Sequence, residues 1–108
     1  MHWVRSNFPR FKPDVAPRHD WIGAIEDPAG AAAIPDAPCH RWFDMSITAT
    51  GVVSMCCMDG GAKYPKGDVN TQHVLEIYNQ PWLRELRETL ISRRQVRSPC
   101  NGCTYLSY

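Results

Sequence analysis

The chain has 108 residues, with twelve Lys and Arg against eleven Asp and Glu, and so a formal net charge of +1. A chain of this length builds one small domain with a limited core, so a further stabilising element is expected. The near balance of charge gives no whole-molecule field for nucleic acid or for an acidic membrane surface, and neither is expected as a partner.

The N-terminal part of the chain shows no targeting or membrane signal. Met1 to Arg5 lack the apolar core of a secretory signal, and the longest small-apolar run, Gly30 to Ile34, is too short to cross a bilayer. We therefore expect a cytoplasmic protein.

Residues 1–38 hold six of the nine prolines, and their apolar residues show no sustained helical or strand period. This composition predicts an extended Pro-rich lead-in or linker before a domain at 39–108.

Two β-prone runs follow this segment. In the first, Phe43, Met45 and Ile47 alternate with polar residues, which is the period of a strand with one buried face. The second run covers 52–57, and residues 49–51 supply a Gly-containing turn between them. Two such runs joined by a short turn predict an antiparallel β-hairpin.

Two short helices are predicted after a loop at residues 60–68. Asn70 or Thr71 can cap the first helix, which carries Ile77 among its apolar residues. The second helix is predicted to begin at Pro81, because proline is favoured at the first position of a helix. It is expected to end near Arg93-Arg94, before Pro99. Its apolar face comprises Trp82, Leu83, Leu86, Leu90 and Ile91. The fold class predicted is a small α+β domain: a two-stranded antiparallel β-hairpin followed by two short helices, stapled by a four-Cys site.

Five cysteines, an odd number without a secretion signal, indicate metal ligation or redox chemistry rather than a disulfide framework. Cys39 precedes the first strand and Cys56 lies near the end of the second, so an antiparallel hairpin brings both to its open end. Cys100 and Cys103 form a second half-site, since two intervening residues let a tight turn aim both sulfurs at one ion. Four thiolates can bind either a structural zinc ion or an iron–sulfur cluster, and the softness of the sulfur ligands does not distinguish the two.

Several landmarks beyond the cysteines accompany this spacing. They are Cys39-x11-Gly51-x4-Cys56, Cys57-Met58-Asp59, the run 66–70 (KGDVN), the run 74–79 (VLEIYN), Leu86-Arg87 and Cys100-x2-Cys103. Over residues 39–103 the chain resembles the SPASM/twitch domain, the auxiliary iron–sulfur module of many radical SAM enzymes. The resemblance implies that Cys39, Cys56, Cys100 and Cys103 bind one [4Fe-4S] cluster. It also implies a radical SAM core domain or subunit as partner, and a peptide as a candidate substrate.

Two departures from the family pattern limit what the resemblance implies. Only residues 104–108 follow the last cysteine pair, so the chain can ligate a single cluster, as in the shorter twitch form. The Cys-x3-Cys-x2-Cys loop of a radical SAM core is absent from these residues, and the chain by itself is not expected to cleave S-adenosylmethionine. With cysteine at all four positions, electron transfer or scaffolding of the substrate site is expected rather than direct binding of substrate to iron.

Two other functions remain open. The main alternative is a zinc-stabilised protein-interaction module without redox activity, and the other is a small standalone electron carrier.

The adjacent thiols of Cys56 and Cys57 are predicted to differ in role. Strand alternation places Cys57 with Val53 and Met55 on one face and Cys56 on the other, so the two cannot reach one cluster together. Cys57 is therefore predicted to be a core thiol. Cys56 is predicted to be the ligand, and a bulge at the strand end would exchange them.

Other polar residues support secondary roles. His40 adjoins Cys39 and is expected to assist a ligand at most, and Asp59 is expected to fix its loop by hydrogen bonds rather than act as a base. Residues 84–97 carry five arginines against two glutamates, which predicts a solvated face or, alternatively, a contact with a core domain or an acidic leader peptide. No hydrolase, P-loop or dinucleotide signature is present in the sequence.

Overall fold

The computed structural model describes residues 2–14, 21–22 and 33–105. Within them, the helices and strands are α1 (His2–Asn7), β1 (Ser46–Ile47), β2 (Val52–Ser54), β3 (Gly67–Asp68), α2 (Val74–Tyr78) and α3 (Pro81–Thr89). Single 3₁₀ turns lie at His40–Phe43, Arg93–Gln95 and Cys100–Gly102. The α+β class predicted from the sequence is confirmed.

The sheet has three antiparallel strands in the order β1-β2-β3. The predicted hairpin is present, with Ser46 opposite Ser54. The third strand corrects the two-stranded prediction, because Gly67 pairs with Val53. The sequence predicts a loop at this point, since glycine and aspartate have little β-propensity. A Cβ on Gly67 would lie 2.8 Å from Cγ1 of Ile77, so glycine here lets α2 pack closely on the sheet.

The turn of the hairpin depends on Gly51. Its φ of 92° lies in the region that side-chain-bearing residues rarely adopt. Its N–H donates to the Thr48 carbonyl at 2.9 Å, and the Asn70 side chain donates to the Thr50 carbonyl at 2.8 Å. This turn fixes the register of β1 against β2 and hence where the ends of the hairpin meet.

The predicted buried face of the first strand is wrong. Phe43 and Ile47 are 50% and 49% exposed, whereas Trp42 is only 3% exposed. The reason is local: the Trp42 N–H donates to the Cys39 carbonyl at 3.1 Å, which forms a 3₁₀ turn and directs Trp42 inward before the strand begins. Trp42 then packs with Leu86 and Val96 in a small core.

The two predicted helices are present, with corrections at their ends. His73, rather than Asn70 or Thr71, caps α2, because its Nδ1 accepts from the Leu75 N–H at 3.2 Å. Pro81 opens α3 as predicted. That helix ends at Thr89 instead of near Arg93, since Leu90 adopts a left-handed conformation with φ of 51° and closes the last turn.

The N-terminal segment differs in part from the extended prediction, because α1 forms at its start. Trp3, Phe8 and Phe11 stack edge to face, with 5.8 Å between successive ring centroids, and all are exposed. Most of the remainder, residues 15–20 and 23–32, lies outside the described residues. The proposed division at residue 38 stays a prediction. No helix in the described ranges is long and apolar enough to cross a membrane.

Candidate metal centre

Four of the five cysteines line one pocket. Cys39 immediately precedes the 3₁₀ turn before β1, and Cys56 lies just beyond the end of β2. Cys100 is the first residue of the last 3₁₀ turn, and Cys103 directly follows that turn. The Cys103 N–H donates to the Cys100 carbonyl at 3.1 Å, which keeps this pair on one tight turn. All four side chains are partly buried. Three separate parts of the chain therefore bring their thiols to the same place.

The thiols share a pocket without forming a closed metal cage. Across residues 2–14, 21–22 and 33–105, no group of three or more Cys, His, Asp or Glu side chains stands at the mutual distances of metal ligands. The structure thus does not show a four-Cys cluster site. It shows four cysteines that line one pocket.

The electrostatics of the free thiols reflect burial and mutual proximity. Burial raises the pKa of Cys39 and of Cys56. Burial raises the pKa of Cys100 to about 11, and the neighbouring thiols of Cys39, Cys56 and Cys103 add to that rise. Because metals bind thiolates, loading this pocket must release protons, and the charge of the metal must offset the repulsion between thiolates.

Two buried donors in the pocket wall have no acceptor. In the part of the chain that the structure describes, the buried side-chain nitrogens without a hydrogen-bond partner are Trp42 Nε1 and Arg41 Nε. Both residues line the cysteine pocket. Thiolates and cluster sulfides accept hydrogen bonds, so a sulfur-rich anionic group fits the four thiols and these two donors together.

Arg93 supports the pocket from within. It is 2% exposed and lines the same pocket as the thiols. Its guanidinium donates to the carbonyls of Ala37 at 3.3 Å and Pro38 at 3.2 Å, and also to that of Tyr105. The side chain therefore ties the segment before Cys39 to the segment after Cys103. Sequence reasoning placed Arg93 among solvated helix residues, and no local pattern marks it as buried.

The other arginines of residues 84–97 also do not form one solvated face. Arg87 donates to the Tyr78 carbonyl at 2.6 Å and lies 3.9 Å from the centroid of the Tyr78 ring. Arg97 stacks on Trp82 at 3.8 Å. Arg84 forms an exposed ion pair with Glu88. The Arg87 and Arg97 contacts hold α3 against α2 and the turn after α3 against Trp82, whereas the Arg84–Glu88 pair lies within α3.

The role predicted for Cys57 is wrong, since its side chain is exposed. β2 ends at Ser54, and the Asp59 N–H then donates to the Cys56 carbonyl at 3.0 Å, so the chain turns and strand alternation no longer applies. Cys57 lines a different groove, beside Ile47 and Gly60. Cys56 lines both this groove and the pocket of the other three cysteines, whereas Cys57 does not line that pocket.

The two remaining sequence candidates lie beside the pocket. Asp59 is 4% exposed, and its carboxylate accepts from the N–H groups of Met55, Lys63 and Tyr64 at 3.3, 2.8 and 2.9 Å. Its predicted loop-fixing role is confirmed. His40 does not line the thiol pocket, and its ring lies 5.9 Å from that of Tyr105.

A small α+β domain that gathers four cysteines from three segments around one pocket has an arrangement typical of metal- and cluster-binding domains. The model of the SPASM family, described as an iron–sulfur cluster-binding domain, matches residues 39–104, and the chain belongs to this family. Comparisons with curated proteins and with solved structures returned no match. Family membership assigns iron–sulfur cluster binding to the domain, which agrees with the resemblance seen in the sequence.

Proposed function

We propose that the domain holds one [4Fe-4S] cluster on Cys39, Cys56, Cys100 and Cys103 and serves a radical SAM enzyme as its auxiliary cluster module. The observation that carries this proposal is the pocket, which is lined by four thiols and by Trp42 and Arg41, each of which has a buried nitrogen without a hydrogen-bond partner among the described residues. Membership of the SPASM family supports iron–sulfur as the occupant. The four cysteines of this pocket support a single cluster, because the fifth cysteine, Cys57, is exposed and does not line the pocket.

The ligand set favours electron transfer or scaffolding over substrate coordination. When bound, the cluster supplies one-electron chemistry. Cysteine at four positions leaves no site for substrate on the metal. The protein's part is to fix the thiols: Arg93 joins the chain on both sides of the pocket, and Asp59 holds the turn that presents Cys56.

The partner proposed is a radical SAM core domain or subunit that works in the cytoplasm on a peptide or small substrate. Such a core provides the Cys-x3-Cys-x2-Cys loop that this sequence lacks. Co-purification with a core-only radical SAM protein encoded beside this chain, or a longer parent chain containing both parts, would support the assignment. Stable cluster loading with no association to any such core would favour a standalone electron carrier.

Anaerobic reconstitution with iron and sulfide tests the occupant. We expect a brown protein with broad charge-transfer absorption and, after reduction, an EPR signal of a [4Fe-4S] cluster. A colourless protein that binds one zinc tightly and takes up no iron would contradict the proposal and support the zinc-stabilised interaction module.

Single substitutions test the ligand assignment in the same experiment. Replacing any of the four pocket cysteines by alanine should lose most of the cluster, because ligation and folding of the site are coupled. Cys57→Ala is the matched control, since it removes a neighbouring thiol outside the pocket, and it should load fully. Loss of the cluster in Cys57→Ala but not in Cys56→Ala would show that the ligand is the other member of the pair.

A further inference from the structure

Trp42 presents a buried donor to the cysteine pocket. The side chain is 3% exposed, and its Nε1 has no hydrogen-bond partner among the described residues. Cys39 and Cys100 both pack against the small core that Trp42 forms with Leu86 and Val96. The indole therefore lies between the apolar core and the thiols.

An indole nitrogen can only donate, so it must find an acceptor or remain unsatisfied. Leaving a buried donor unpaired is destabilising, and a buried side chain in that state calls for an explanation. Cys100 offers an acceptor: it lines the same pocket as Trp42, its side chain packs against the core that Trp42 forms, and its sulfur lies within reach of the indole N–H. A hydrogen bond from this donor favours negative charge on the Cys100 sulfur.

We propose that the Trp42 indole N–H donates a hydrogen bond to the Cys100 sulfur when that sulfur is a ligand, and that this bond raises the reduction potential of the cluster. The inference rests on the proposed function. Reduction adds one electron, and hence one negative charge, to a cluster that is already anionic with its four thiolates. A donor aimed at a ligand sulfur stabilises the added charge, as hydrogen bonds to cluster sulfurs do in general. Trp42 is thereby a positioning and tuning residue.

Trp82 supplies a matched control within the same domain. It is partly buried and packs against the same small core, but its Nε1 already donates to Oε1 of Gln80 at 3.3 Å. It does not line the cysteine pocket. Trp82→Phe and Trp42→Phe therefore remove the same atoms from two indoles, one of which faces the thiols.

The experiment compares the wild-type chain, Trp42→Phe and Trp82→Phe after anaerobic loading. Iron and sulfide are counted first, and fully loaded samples are titrated with titanium(III) citrate as the one-electron donor while EPR monitors reduction. We expect a more negative midpoint potential for Trp42→Phe and the wild-type midpoint for Trp82→Phe. Equal midpoints for Trp42→Phe and the wild type at full loading would overturn the proposal.

A measurement on the unsubstituted site keeps the inference testable if Trp42→Phe loads poorly. Pulsed EPR of the reduced protein with ¹⁵N-labelled indoles should detect a nitrogen coupling and an exchangeable proton coupling, and both should persist in Trp82→Phe. Their absence from the wild type would refute the hydrogen bond.

Failure of the proposed function gives a different result from failure of this inference. A wild-type chain that holds zinc and no iron contradicts the cluster, and proton exchange in the zinc-loaded protein then tests the hydrogen bond by NMR. Slow exchange of the Trp42 indole proton relative to the metal-free chain would support the bond. Equal exchange rates with and without zinc would overturn it.

Discussion

Arg93 joins the two chain segments that flank the cysteine pocket, and its removal tests whether that clamp matters. Arg93→Met keeps most of the apolar stem of the side chain while removing the guanidinium. The lost contacts are the hydrogen bonds to the carbonyls of Ala37, Pro38 and Tyr105. Because Arg93 is only 2% exposed, the substitution measures the loss of its hydrogen bonds while most of its packing contacts are kept.

The expected loss of stability follows from these contacts. A net hydrogen bond contributes about 1 kcal/mol, and bonds from a charged donor contribute somewhat more. The Ala37 carbonyl keeps a bond from the Arg93 main-chain N–H at 3.0 Å, so two carbonyls rather than three lose their donor. We therefore expect Arg93→Met to cost about 2–4 kcal/mol, which for a domain of this size lowers the Tm by about 10–20 °C.

Arg94→Met is the matched control at the next position. The Arg94 side chain is 51% exposed, and its hydrogen bonds all reach the single carbonyl of Ile34, at 2.8 and 2.6 Å. Its replacement removes the same charge but should cost less than about 1 kcal/mol. Thermal unfolding of the metal-loaded proteins, followed by circular dichroism, makes the comparison. Equal decreases in Tm for the two variants would refute the reasoning that Arg93 clamps the pocket.

Three further substitutions test the elements that position the site. Gly51→Ala should destabilise the hairpin by about 1–3 kcal/mol, because φ is positive and the new Cβ would overlap Nδ2 of Asn70. Gly60→Ala, with nothing within 4 Å of its Cβ, should change the Tm little, and an equal effect of both would contradict this account of the turn. Asp59→Ala should lower the free energy of unfolding by about 2–4 kcal/mol and reduce iron loading, since three main-chain N–H groups lose their acceptor. Wild-type iron loading and Tm in this variant would contradict the role of Asp59 in positioning Cys56. Leu83→Ala should cost about 2–5 kcal/mol in thermal unfolding, because Leu83 is only 1% exposed, and a loss below about 1 kcal/mol would show that this core position is not tightly packed.

The parts of the fold that depend on local chemistry were predictable from the sequence. Gly51 and the β-prone runs on either side specified the hairpin, and Pro81 specified the start of α3. The hairpin in turn brought Cys39 and Cys56 to the pocket that they share with the final cysteine pair. These features rest on backbone conformation and spacing, which a single sequence carries.

The parts that depend on tertiary contacts were not predictable. β3 consists of two residues whose strand conformation comes from pairing with β2. α3 ends at Thr89 because the next residue, Leu90, is left-handed, and no sequence signal marks that leucine. Trp42 turns inward because a 3₁₀ turn replaces the start of the expected strand. Burial of Arg93 requires carbonyls that are more than fifty residues away in the chain. Cys57 is exposed because β2 ends three residues before it.

Native mass spectrometry of the anaerobically purified chain tests the central claim most directly, because it weighs the occupant of the pocket in the intact protein. We predict one dominant species whose added mass is that of a single [4Fe-4S] cluster, and its loss when Cys56 is replaced by alanine but not when Cys57 is. A dominant species carrying one zinc ion, with no iron or sulfide, would contradict the account.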